Sequence, residues 1–120
     1  MEIATPLSYE IARYLDLSTQ QIQLTSANMA NIDTPGYRAV GMDFEAEMRQ
    51  AVSGIESGET EFAAAQVFAV DGLIVRPDGN NVSMDRESLN LAESQLKYKT
   101  GIALLHIEYQ KVMDAIHADK

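Results

Sequence analysis

The chain has 120 residues, the size of one ordinary domain, and 46% of them are apolar. Eighteen acids against nine bases leave a net charge of −9, which argues against nucleic-acid binding by phosphate neutralisation and against docking on an anionic membrane surface. The absence of cysteine removes a disulfide framework, a thiolate zinc site and a cysteine nucleophile, and no apolar run approaches the roughly 20 residues of a membrane span.

Residues 7–31 read as a first long helix. Pro6 fits its first turn, where a missing N–H costs little. Ile11, Leu15, Ile22 and Met29 make one apolar stripe, and Leu7, Tyr14, Leu17 and Leu24 a second beside it. Such a helix is about 37 Å long. It ends at Asn31-Ile32-Asp33-Thr34-Pro35-Gly36-Tyr37, because Pro35 pushes Thr34 out of the helical region and Pro-Gly specifies a type II turn. Within 32–50, Met42–Met48 reads as a single helical turn. Residues 51–66, with two Ser-Gly pairs, three Glu and three consecutive Ala, read as a flexible linker with little to bury. Residues 67–82 hold Phe68, Val70, Leu73, Ile74 and Val75 around Asp71-Gly72, followed by the turn cluster Arg76–Asn81. They predict a short β-hairpin or two short strands.

Residues 83–118 give the strongest signal, a helix of about 50 Å. Ser83 suits its N-cap, and Asp85 and Glu87 suit the positive end of its dipole. Leu91, Tyr98, Ile102, Leu105, Tyr109, Val112 and Ile116 form a heptad seam, while Lys97, Lys99, Glu108 and Lys111 supply a charged outer surface. Gly101 inside the helix costs about 1 kcal/mol relative to Ala, which points to close helix packing there. The fold class is therefore mainly α. Two long terminal amphipathic helices form an antiparallel, coiled-coil-like hairpin with a short β element in the middle. Each apolar face is wider than one partner helix covers, so other subunits are expected to cover the rest. Charge follows the same division: −2 over residues 1–32, −6 over 33–82 and −1 over 83–120. The nearly neutral ends can pack against neighbours without much repulsion.

No catalytic constellation, metal site or cofactor motif is visible. His106 and His117 lie eleven apart on one helix without the i, i+4 partner of a helical metal site. Asp78–Ser83 fails as a calcium loop, since Ser83 stands where glycine is required and Leu89 where the bidentate glutamate is required. The informative stretch is Ser26–Tyr37. Asn28 and Asn31 sit i, i+3 at a helix end, small residues allow a second chain close, and a Pro-Gly turn follows. Asn28, Asn31, Pro35, Gly36 and Tyr37 are the candidate assembly residues, although a capped helix end alone would have the same composition.

Ala27-Asn28-Met29-Ala30-Asn31-Ile32-Asp33-Thr34-Pro35-Gly36-Tyr37 closely resembles the N-terminal signature of flagellar rod and hook axial proteins, SNIANxxTPGY, with Met29 in place of Ile and Ala27 in place of Ser. Asp43-Phe44-Glu45, Asp78–Glu87, Leu91-Ala92-Glu93 and Leu96-Lys97-Tyr98 resemble the form seen in the proximal rod member of that family. The likeness spans both helices and their turns and is weak across 50–66. It implies a structural, non-enzymatic subunit of the bacterial flagellar basal body that builds the proximal rod. The implied partners are other rod subunits, further copies of itself, the ring and rod-junction proteins, and the type III export apparatus during secretion. It implies a periplasmic rod location reached without a cleaved signal peptide, and neither nucleic-acid binding nor membrane insertion. Two other readings compete: another rod component of the same family, which shares the first motif, and a small acidic helical adaptor or chaperone.

Overall fold

The computed structural model of the chain describes residues 4–118. Three helices and two short strands follow one another as α1 (Pro6–Ala30), β1 (Val40–Gly41), α2 (Phe44–Glu56), β2 (Phe68–Ala69) and α3 (Met84–Ala118). The shape is elongated, 69 × 26 × 17 Å. Among the described residues no helix is long and apolar enough to cross a membrane.

Local chemistry sets the helix ends. Thr5 caps α1 in a reciprocal box with Ser8, each side chain bonding the other's backbone N–H, and Pro6 occupies the first turn. Asp43 caps α2 by accepting from the Ala46 N–H, with Glu45 and Glu47 in the positive first turn. Ser83 accepts from the Arg86 N–H at the start of α3.

α1 and α3 form the antiparallel hairpin. At one end the Thr5 hydroxyl donates to the Glu108 carboxylate (3.1 Å), and at the other Asn80, just before α3, bonds the carbonyls that end α1. Glu108 therefore belongs to the inner side of the hairpin, not to the charged outer surface expected for it. The buried stripes are mostly small or polar: Ile11, Ser18 and Thr25 on α1, and Glu87, Ser94 and Gly101 on α3, each at seven-residue steps. The hydroxyls of Ser18 and Ser94 bond the carbonyl four residues back, so they are buried without an unmet donor. A Cβ on Gly101 would stand 2.6 Å from Leu15 Cδ2, so the glycine is what lets α1 approach this closely. Glu87 is fully buried; its Oε1 accepts from Arg86, and its Oε2 has no hydrogen-bond partner.

The apolar core lies to one side of the hairpin, beneath α2. Leu17, Met42 and Ala65 pack with Leu24, Phe44 and Met48, and Tyr14 meets the Phe44 ring edge-on at 5.2 Å. Here the chain departs from the sequence reading. The single turn expected at Met42–Met48 is the start of a 13-residue helix, which buries Ala51 and Ile55 and runs past the expected start of the linker at residue 51. The remainder of the linker is irregular but fastened. Arg13 donates to the Ala63 carbonyl (2.8 Å), Gln20 bonds both the N–H and the carbonyl of Ala65, and Glu47 accepts from the Gln66 N–H. These side-chain bonds offset ordering entropy that composition alone could not.

The β element also differs. β2 does not fold back on Leu73–Val75; it pairs antiparallel with β1, Val40 opposite Ala69 and Gly41 opposite Phe68. A two-residue hairpin closed by Asp71-Gly72 favours positive φ at both turn residues, and only Gly72 has it (φ +79°). The pairing with β1 also turns the Val70 N–H toward the Ala39 carbonyl (3.0 Å), which removes the donor that a closing Val70–Leu73 pair would use.

Candidate functional site: an asparagine-locked junction and an uncovered helix flank

The turn after α1 is built as its residues dictate. Gly36 has φ +76°, and the Tyr37 N–H bonds the Thr34 carbonyl at 3.2 Å, closing a type II turn over Pro35-Gly36. Asn28 is buried on the last turns of α1. Its amide donates to the Val40 carbonyl (2.8 Å), and its carbonyl accepts from the Val40 N–H (3.0 Å) and the Tyr37 hydroxyl (3.1 Å). Asn28 thus treats β1 as a neighbouring strand would and fixes the ring of Tyr37. Asn31 is only partly buried and acts locally, donating to Ala27 and accepting from the Thr34 hydroxyl. Pro35 is exposed and presets the backbone for the turn.

Three residues that sequence reasoning did not assign to the junction complete it. Asn80, with no exposed surface, shares its amide N–H groups among the carbonyls of Asn31 (2.9 Å), Ile32 (3.1 Å) and Thr34 (2.8 Å), and its own carbonyl accepts from the Val82 N–H. Arg76 donates to the Ile32 carbonyl as well. Asn81 accepts from the Ala39 N–H (2.6 Å) and donates its backbone N–H to Tyr37. The last turn of α1 has no basic residue of its own, and an amide and a guanidinium from more than 40 positions away bond the carbonyls of its C-cap and of the turn that follows, near the negative end of its dipole. Backbone contact seals the knot: the Gly36 N–H bonds the Asp78 carbonyl (2.9 Å), and a Cβ on Gly79 would press on Gly36 Cα at 3.3 Å. Two motifs that are separate in sequence, 27–37 and 78–83, are therefore one structure.

The heptad seam lies elsewhere. The hairpin packs along Glu87, Ser94 and Gly101, and the seam stands on the flank of α3. Leu91 and Val112 are half-buried, whereas Tyr98, Leu105 and Ile116 are exposed, Ile102 is 46% exposed and Tyr109 61%. Leu105, Tyr109 and Val112 share a small apolar cleft with Ala4 and Ser8 at the start of α1. In the single chain this flank of α3 therefore leaves large apolar side chains in water. Lys97, by contrast, turns inward over the Phe44 ring, 4.0 Å from its centroid.

No family model matches the chain. In sequence it is similar to the flagellar basal body rod protein FlgB of Salmonella typhimurium, 34% identical over 85% of this chain and 86% of the relative. It is similar also to the FlgB proteins of Cereibacter sphaeroides, 34% identical over 90% and 91% of the two chains, and of Escherichia coli K12, 27% identical over 87% and 88%. An elongated helical hairpin with a locked turn at one end and an uncovered apolar flank is the build of a structural assembly subunit. The relatives give that class its setting, the flagellar basal body. The chain belongs to the FlgB family of flagellar basal body rod proteins, and it is a structural component of that rod.

Proposed function

We propose that the chain builds the proximal rod by packing the flank of α3, Leu91 to Ile116, against helices of neighbouring subunits, while the junction around Asn28 and Asn80 fixes the angle at which each hairpin meets the next. The observation that carries this reading is the separation of faces on α3. The hairpin uses the small polar stripe, so the apolar heptads remain uncovered in the single chain. Other rod subunits and further copies of the chain are the partners this flank suits, since the helical ends carry little net charge. Pro35, Gly36 and Tyr37 serve as turn formers within the junction. Delivery to the periplasmic rod without a cleaved signal peptide, through the flagellar export apparatus and from an unfolded chain, accompanies this reading. Nothing favours the acidic adaptor.

Leu105→Asp tests the proposal. The carboxylate would have to be desolvated or protonated in an apolar seam, at a cost of several kcal/mol. Export of an unfolded chain does not need the seam, so the variant should appear in the secreted fraction at normal levels while rods are missing or truncated. Normal rods built from Leu105→Asp subunits would overturn the seam.

A further inference from the structure

The two-stranded sheet is capped on one edge and open on the other. In the β1–β2 ladder Val70 bonds Ala39, so by the alternation of antiparallel pairing the N–H and carbonyl of Val40 and of Ala69 point away from each other, to the outer edges. Asn28 occupies the Val40 edge with both halves of its amide. Among the described residues no hydrogen-bond partner meets the Ala69 backbone on the other edge. Ala69 and its neighbours Val67 and Phe68 are exposed, and residues 62–70 hold no charge in a chain of net −9. An open, uncharged edge rich in β-branched and aromatic residues is a template for a further strand.

Two turns of chain further on lies a segment of matching character without a partner. Leu73-Ile74-Val75 is uncharged, two of its three residues are β-branched, and Ile74 is 91% exposed, more than any other large apolar residue among those described. Its sequence is that of the second arm of a hairpin whose first arm is β2. Within one chain that hairpin does not close, because Asp71 lacks positive φ and the Val70 N–H is committed to β1. Each copy therefore carries both an acceptor edge and an irregular segment of strand-like sequence that pairs with no strand among the described residues.

We infer that Leu73–Val75 of a second copy adds to the Ala69 edge of β2, with the outward N–H and carbonyl of Ala69 bonding Ile74, a pairing the Asp71-Gly72 turn cannot set in cis, where Val70 and Leu73 would be the bonded pair. The second copy is the occupant because its segment matches the edge in charge and strand character. The contact is heterologous, since donor and acceptor are different surfaces, and so it propagates from subunit to subunit as a rod requires. This rests on the assembly reading above but uses a surface distinct from the α3 seam.

The natural chain has no cysteine, so thiols placed in it report cleanly. Ala69→Cys and Ile74→Cys, on two copies of different length expressed together, should yield an inter-chain disulfide in isolated basal bodies at least tenfold above an Ala69→Cys with Glu56→Cys control pair. Both substituted residues are exposed, so neither variant removes core packing. Absence of the 69–74 product, or a disulfide formed only within a single doubly substituted chain, would overturn the inference. A product joining Ala69→Cys to a different rod protein would overturn it too. Cross-linking between seam cysteines at 102 and 109 and their neighbours in the same particles reports separately on the seam. As a second measurement, Ile74→Asp should reduce swimming at least tenfold with the exported amount unchanged; full motility would contradict the inference.

Discussion

Asparagine carries most of the specificity of the junction, because a carboxamide is donor and acceptor at once. Asn28 and Asn80 each bond both kinds of backbone group, and neither task can be done by aspartate or leucine. Asn80→Asp would aim a carboxylate at three carbonyl oxygens in a site with no exposed surface, so it should destabilise the purified chain by at least about 3 kcal/mol in urea. Asn31→Ala, which removes bonds on a partly exposed side chain, should cost about 1 kcal/mol or less. Equal losses would remove Asn80 from the centre of the junction. Gly36 is a different case. A Cβ there meets no atom within 4 Å, so the cost of adding one lies in the backbone at φ +76°. Gly36→Val should lose about 1–3 kcal/mol and motility with it, and Gly36→Asn should recover part of both, since asparagine tolerates that region. Equal behaviour of the two variants would show that the conformation is not what matters. Pro35-Gly36 was legible in sequence because a turn is encoded in adjacent residues. Asn80 was not, because its partners lie more than 40 positions away and its neighbours spell an ordinary turn.

At the scale of elements, the buried Ile11 and Leu17 of α1 are legible in its apolar stripes, whereas on α3 the outer flank is legible and the inner stripe is not. Hydrophobic periodicity finds stripes of large apolar residues, and on α3 it found the flank that remains exposed. The stripe that joins α3 to α1 is Glu87, Ser94 and Gly101, which has no apolar period to detect; only the glycine hinted at close approach. Gly101→Ala weighs the two effects there. Helix propensity favours alanine by about 1 kcal/mol, while a Cβ 2.6 Å from Leu15 Cδ2 costs about 1–3 kcal/mol in overpacking. The clash should win, giving a lower melting temperature, and a raised one would mean that Leu15 yields freely. The second half of α2, Gln50–Glu56, is not legible in sequence because it contains Ser53-Gly54, a pair of linker composition, and its helix depends on the packing of Ala51 and Ile55. Of the hairpin and the separate strands that residues 67–82 allow, parity excludes the hairpin. The Asp-Gly signal favours a local hairpin, but β1, reached through a helix of 13 residues, takes the inward bonds first.

The whole molecule is a hairpin joined to a small side core, and its length exceeds its width more than twofold. Such a shape exposes much surface for its mass, and exposed large apolar residues recur along α3 from Met84 to Ile116. Association with other copies or other rod subunits is the physical way to remove that surface from water. The claim that organises the account is that the α3 flank is solvent-exposed in the single chain and covered in the rod. It is tested most directly by thiol accessibility. Ile102→Cys and Tyr109→Cys chains, labelled with a maleimide as purified monomer and again within isolated basal bodies, should react readily in the first state and at least tenfold more slowly in the second. A cysteine at Glu56, away from the seam, serves as the reference for reagent access. Equal labelling of the seam cysteines in monomer and rod would contradict the account.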